Sequence, residues 1–168
     1  MDWTLSKVVE VTGAKRRSVQ LWADAGIIHA VEGTDRAGTG VHRRFDSNEV
    51  KLIALLVPLA KWGVPIGWLR HFAKSFREAF QFEEGGAKRV PMSAEIARAF
   101  ERAAAGDGKN YLVFAHSEKV LSFDIITDEH GPAYIDPARI EDEWMFLEGN
   151  IVIGILNLNA SLRGLEQC

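Results

Sequence analysis

The chain has 168 residues, of which 47% are hydrophobic and 26% charged, and a formal net charge of -3. That is enough apolar material to bury a core in one domain or in two small ones. The only cysteine, Cys168, excludes a disulfide framework and a Cys-rich metal site within one chain, and a reducing cytoplasm fits.

The first residues, "MDWTLSKVVEVTG", lack the apolar core of a signal peptide, and the runs "LIALLVPLA" and "IVIGIL" fall far short of a membrane span. The expectation is a soluble cytoplasmic protein with no membrane partner. Charge is unevenly spread: residues 1–82 carry 12 Lys/Arg against 8 Asp/Glu, and residues 83–168 carry 8 against 15. Such a division points to an anionic partner for the first half, although scattered solvated charges would give the same pattern.

Thr4 is placed to cap a first helix whose apolar residues Leu5, Val8 and Val9 fall at helical spacing, ending near Thr12–Gly13. The next stretch, "AKRRSVQLWADAG", predicts a second helix over 15–25 with Val19, Trp22 and Ala23 on one face. It begins with Lys15, Arg16 and Arg17, where the helix dipole favours anions rather than cations. Two short helices across a Gly-containing turn match a helix-turn-helix, as they match many helical hairpins.

Ile27, Ile28 and Val31 lead into a Gly- and Thr-rich tract at 33–40, after which Val41, Arg43 and Phe45 alternate with His42 and Arg44. The pattern predicts a β-hairpin over 31–45 with a long tip, the arrangement of a wing. Asp46 and Glu49 form a capping-box pattern for a third helix, with Val50, Ile53, Ala54 and Val57 as its inner stripe. Pro58 is expected to kink or divide that helix, and Gly63 to close it. Pro65 suits the start of a fourth helix, on which Ile66, Leu69, Phe72, Phe76 and Phe80 repeat at three to four residues.

"FEEGGAKRVP" reads as a linker. Beyond it, Ser93 is placed to cap a short helix, "NYLVFAH" and "KVLSFDIIT" read as a tight hairpin, and "NIVIGILNLNA" as a buried strand before a terminal helix "SLRGLEQ". The acidic "ARIEDEWMFLEG" carries no clear assignment. The expected fold is therefore α+β: a mostly helical winged helix-turn-helix at 1–82, a linker at 83–91, and a small α+β dimerisation or effector-binding domain at 92–168.

The ordered series "TLSKVVEVTGAKRRSVQLWADAGII", "HRRF" and "NEVKLIALLVPLAKWGVPIGWLRHF", within residues 3–72, resembles the MerR family of winged helix-turn-helix transcriptional regulators. Gly26-Ile27-Ile28 stands where the family has a Gly-Leu-Leu-like helix end. Arg43-Arg44-Phe45 stands for the family's Arg-x-Tyr wing, and Trp62-Gly63-Val64-Pro65-Ile66 for its helix–helix corner. The resemblance implies a homodimer that binds double-stranded DNA and often distorts it. The family's Arg-Tyr-Tyr-Glu appears here as Gln20-Leu21-Trp22-Ala23, so Arg16 and Arg17 are the residues that would supply the missing charge. The family's long dimerising helix is interrupted after Phe80 by Gly85-Gly86, which moves dimerisation to the second half. Metal sensing is not implied, because the thiolate ligands it uses are absent.

DNA binding makes two chemical demands: cations to neutralise phosphates, and a few side chains able to reach base edges. The candidate DNA-contacting residues are Lys15, Arg16, Arg17, Ser18, Gln20, Arg36, His42, Arg43 and Arg44. Arg17 suits guanine and Gln20 suits adenine; Arg16 and Lys15 suit phosphate, as do the wing residues Arg43, Arg44, Arg36 and His42. Leu21 would press on a thymine methyl or a sugar, and Asp24 would orient Arg17 or Gln20. Trp3, Trp22, Trp62 and Trp68 read as core. Each arginine also reads as an ordinary solvated charge.

No catalytic constellation, cofactor or metal site is expected. His116-Ser117 with Asp124, and the acidic groups at 128–130 and 141–143, do not assemble into a triad or a defined ligand set from sequence proximity. Two other classes stay open: an architectural or excisionase-like DNA-bending accessory protein, and a protein-interaction module that keeps the fold. The second half is either a dimer interface or a sensor for a small effector whose identity the sequence does not specify.

Overall fold

In the computed structural model, residues 2–34, 42–80, 91–116, 121–127, 144–148, 151–163 and 165 are described. They form an α+β protein with six helices, one two-stranded sheet and one four-stranded sheet, all antiparallel. The chain separates into two units, residues 1–84 and 85–166.

The first unit opens with β1 (Trp3–Thr4) and α1 (Leu5–Thr12). The Thr4 hydroxyl accepts the Lys7 amide at 3.4 Å, and Gly13 ends the helix at φ 66°. After Ala14 and Lys15 comes α2 (Arg16–Asp24), with Val19 and Trp22 buried and Gln20 and Leu21 exposed. Its far end is a Schellman closure: Ile27 N–H donates to Trp22 O at 2.8 Å, and Gly26 N–H to Ala23 O at 3.0 Å. Gly26 sits at φ 66°, a conformation that a side chain would strain, and this reversal drops Ile27 and Ile28 into the core.

The hairpin expected over 31–45 is described only at its two ends, and residues 31–34 form no strand. Ile27 and Ile28 lie in the turn after α2, and β2 (Arg44–Phe45) pairs instead with β1, in the register Trp3–Phe45 and Thr4–Arg44. The segment from 31 touches β2 through two hydrogen bonds, Val31 N–H to Arg44 O at 2.8 Å and Arg44 N–H to the Thr34 hydroxyl at 3.1 Å. Residues 35–41, which hold the expected tip and Arg36, lie outside the described residues.

Asp46 caps α3 (Ser47–Lys61) by accepting the Glu49 amide at 2.9 Å. The box is half of what the pattern predicted, because the Glu49 carboxylate turns to other partners. Glu49, Val50 and residues 52–59 are buried, on more than one stripe, so α3 is the central helix of this unit. Nor does Pro58 divide it. The helix runs on to Lys61, because Pro58 removes only its own amide bond near the helix end and the flanking Val57 and Leu59 remain buried. Gly63, at φ 77°, makes the turn into α4 (Ile66–Phe80). Leu69, Phe72 and Phe76 of α4 are buried, and the Phe72 and Phe76 rings are 5.5 Å apart between centroids. Ile66, expected on the same stripe, is 55% exposed because it stands at the helix start, beyond the turns that face α3. Of the tryptophans expected in the core, Trp22 is buried, whereas Trp3, Trp62 and Trp68 are half-buried at element ends, where an indole keeps one edge in solvent.

The second unit begins with α5 (Pro91–Ala104), which starts at Pro91 instead of after Ser93; proline is favoured at a first helical position, where its missing amide costs nothing. The expected linker at 83–91 otherwise lies outside the described residues. β3 (Asn110–His116), β4 (Leu121–Thr127), β5 (Trp144–Glu148) and β6 (Ile151–Asn157) form a sheet in the order β4-β3-β6-β5. The β3–β4 ladder is described as far as His116–Leu121, and residues 117–120, where the tight turn was expected, lie outside the described residues. β5 falls on the acidic segment that carried no assignment. α6 (Leu158–Leu162) starts earlier than expected, because the Asn157 side chain accepts the Ala160 amide at 3.0 Å and ends β6 there.

α5 packs on β3 and β4, and α6 on β3, β6 and α5. Buried Ile96, Phe100 and Ala103 of α5 and Leu158 and Leu162 of α6 belong to this core, as do Leu112, Phe114 and Leu156 of the sheet. On the other pleat of the same strands, Tyr111, Ile126 and Ile155 form a second buried cluster with Val113 against it. Burial on both faces is why β3 and β6 read as continuous apolar runs.

Candidate nucleic-acid interface

α2 is held against the first unit by its inner face and by ties at both ends. At its start, Arg16 Nη1 donates to the Ser6 hydroxyl of α1 at 3.3 Å. At its far end, Arg70 Nη2 of α4 donates to Ala25 O at 3.1 Å, and Arg43 Nη2 donates to Asp24 Oδ1 at 2.7 Å. Cations at a helix C-terminus complement its dipole, so both far-end ties are electrostatically apt. With its position set from three sides, α2 presents Arg16, Arg17, Gln20, Leu21 and Asp24 to solvent.

The start of α2 has the opposite polarity. The N-cap position is Lys15, whose side chain makes no capping hydrogen bond, and no acidic residue occupies the first turn. First-turn amides without a side-chain acceptor therefore sit beside Lys15, Arg16 and Arg17, all exposed. Amides and cations here repel one another and both attract an anion, the chemistry of a phosphate contact.

A buried ion pair fixes the backbone that follows α2. Arg77 of α4 meets Glu49 of α3 through two bonds, Nε to Oε1 at 2.6 Å and Nη2 to Oε2 at 3.2 Å. Arg77 Nη2 also donates to Ile27 O at 2.9 Å, and His29 N–H donates to Glu49 Oε2 at 2.8 Å. The pair thus joins α3, α4 and residues 27–29 in one network. A bidentate carboxylate–guanidinium fork that also bonds a backbone carbonyl and a backbone amide is the geometry in which a buried carboxylate is tolerated.

The candidate residues do not all behave alike. Lys15, Arg16, Arg17 and Gln20 are exposed on or beside α2, whereas Ser18 is half-buried on its flank. His42 and Arg44 are exposed, and Arg43 is half-buried against Asp24. Arg43 is therefore brought to α2 by a carboxylate, and Arg44 is fixed by its backbone pairing to Thr4. The expected partner of Asp24 was Arg17 or Gln20; its partner is Arg43, which arrives from the strand side where the helix ends. Sequence reasoning passed over Arg70 and Arg77 altogether. Their partners lie 28 to 50 residues away along the chain, and the only local signal is that both carry charge on a strongly amphipathic helix.

No known family model matches this chain, and no curated protein matches it. Among the described residues no helix is long and apolar enough to cross a membrane.

Proposed function

We propose that this protein is a sequence-specific double-stranded-DNA-binding transcriptional regulator with a winged helix-turn-helix, similar in plan to MerR-type regulators. In this reading α2 enters the major groove, and the segment 31–45 is the wing that contacts the backbone. The observation that carries the proposal is the outer side of α2: an uncapped start flanked by exposed Lys15, Arg16 and Arg17, leading to exposed Gln20. Phosphate satisfies the first group, and base edges satisfy Arg17 and Gln20. Arg44 extends the cationic surface from β2. A homodimer would set two such helices on half-sites related by a two-fold axis.

Selection from a random-duplex library, followed by a salt titration on the best site, tests the reading. A regulator returns an inverted repeat and an affinity that falls steeply with salt. Binding without a preferred sequence would instead support a DNA-bending accessory protein, and no binding at low salt would support a protein-interaction module.

A further inference from the structure

Leu21 is 51% exposed, one of two large hydrophobic side chains exposed among the described residues. Its exposed companions on α2 are Arg16, Arg17, Gln20 and Asp24. At about 3.6 residues per turn, Arg17 and Leu21 both project within about 30° of the direction opposite the Val19–Trp22–Ala23 side, and Gln20 lies about 70° off it. Arg17 and Leu21 thus form the crest of the helix. Two of the polar groups on this helix are engaged: Asp24 is bonded to Arg43, and Arg16 is turned to Ser6 of α1.

We propose that Leu21 is a specificity-determining residue that packs on the 5-methyl group of a thymine; this rests on the reading of α2 as the recognition helix. A residue on the crest reaches the floor of the groove, whereas sugars and phosphates line its walls. Leucine offers no hydrogen bond, so against guanine or adenine it would leave base acceptors and donors desolvated and unpaired. Thymine is the base that presents an apolar group on that floor. Arg17 precedes Leu21 by one turn, about 6 Å along the helix, which spans about two base-pair steps. The bound half-site therefore carries a thymine within about two base pairs of the guanine read by Arg17.

The test uses the full chain and a duplex bearing the site returned by selection, with each thymine replaced in turn by deoxyuridine, which removes only the methyl. Wild-type protein should lose about four-fold in affinity at one position, the worth of one buried methyl-sized group. Leu21→Ala should bind the thymine and deoxyuridine duplexes equally at that position, with its thermal midpoint close to wild type because the side chain is exposed. The position should lie within about two base pairs of the one whose preference Arg17→Ala relaxes. Wild-type indifference to every deoxyuridine, or an unchanged penalty in Leu21→Ala, would overturn the thymine contact while leaving DNA binding intact. Failure to bind any duplex would overturn the functional reading and this inference with it.

Discussion

Arg43 donates to the Asp24 carboxylate across 2.7 Å, fastening the residue before β2 to the last residue of α2. The contact joins the two parts of the proposed interface, and it reassigns both residues. Arg43 is held by protein instead of standing free for phosphate, and Asp24 is neutralised where an unpaired carboxylate would repel DNA. Asp24→Asn should leave stability within about 1 kcal/mol of wild type, since the Asp24 end of the pair is largely solvated. It should also remove one negative charge from the candidate interface and so raise DNA affinity, most at low salt. A parallel Arg43→Ala, Asp24→Asn double-mutant cycle, read by salt titration, separates this charge effect from any change that runs through Arg43.

Arg16→Ala and Arg17→Ala should separate positioning from reading. The first removes a cation beside the uncapped start of α2 and should weaken all duplexes alike. The second should cost about 1–3 kcal/mol at one base position and relax the preference there. Competition binding against singly substituted sites distinguishes the two. A motif unchanged in Arg17→Ala would mean that the helix faces DNA with another side.

The Glu49–Arg77 network carries structural weight in the first unit. Arg77→Met removes the partner of a buried carboxylate and should lower stability by about 3–5 kcal/mol, measured by chemical denaturation. Glu49→Leu combined with Arg77→Met should recover most of that loss, because no charge is then left buried alone. DNA affinity should fall in the single variant, since Ile27 O loses the guanidinium donor that holds the turn after α2.

In the second unit the Phe114 ring lies over Gly154, its register partner across β3 and β6, so closely that a Cβ there would clash with the ring. Phe114 is fully buried and cannot swing outward. Gly154→Ala should therefore destabilise by about 1–3 kcal/mol through overpacking. Phe114→Leu added to it should restore part of the loss, and thermal unfolding of the two variants tests the relationship.

Local chemistry along the chain determined where most helices begin and end. Thr4 and Asp46 offer side-chain oxygens to the third residue on, and Gly26 and Gly63 accept the positive φ that closes α2 and α3. Such signals act over one turn, so they are readable from neighbours alone. The inward face of α2 was legible for the same reason: Val19 and Trp22 are three residues apart, and a helix puts them on one side. The cationic start of α2 was legible as composition, and its lack of a capping side chain follows from Lys15.

What only the tertiary structure decided involves partners distant in sequence. β2 pairs with Trp3–Thr4, about 40 residues earlier in the chain, while Ile27 and Ile28 are buried in the core. Glu49 abandons the reciprocal half of its capping box because Arg77, arriving from α4, offers a charged fork in a buried place, worth more than one solvated amide bond. Asp24 takes Arg43, 19 residues away, over candidates on its own helix. In each case the residue type announced that a partner was needed. Which group met the need depended on what packing brought within about 3 Å, a distance that sequence separation does not encode.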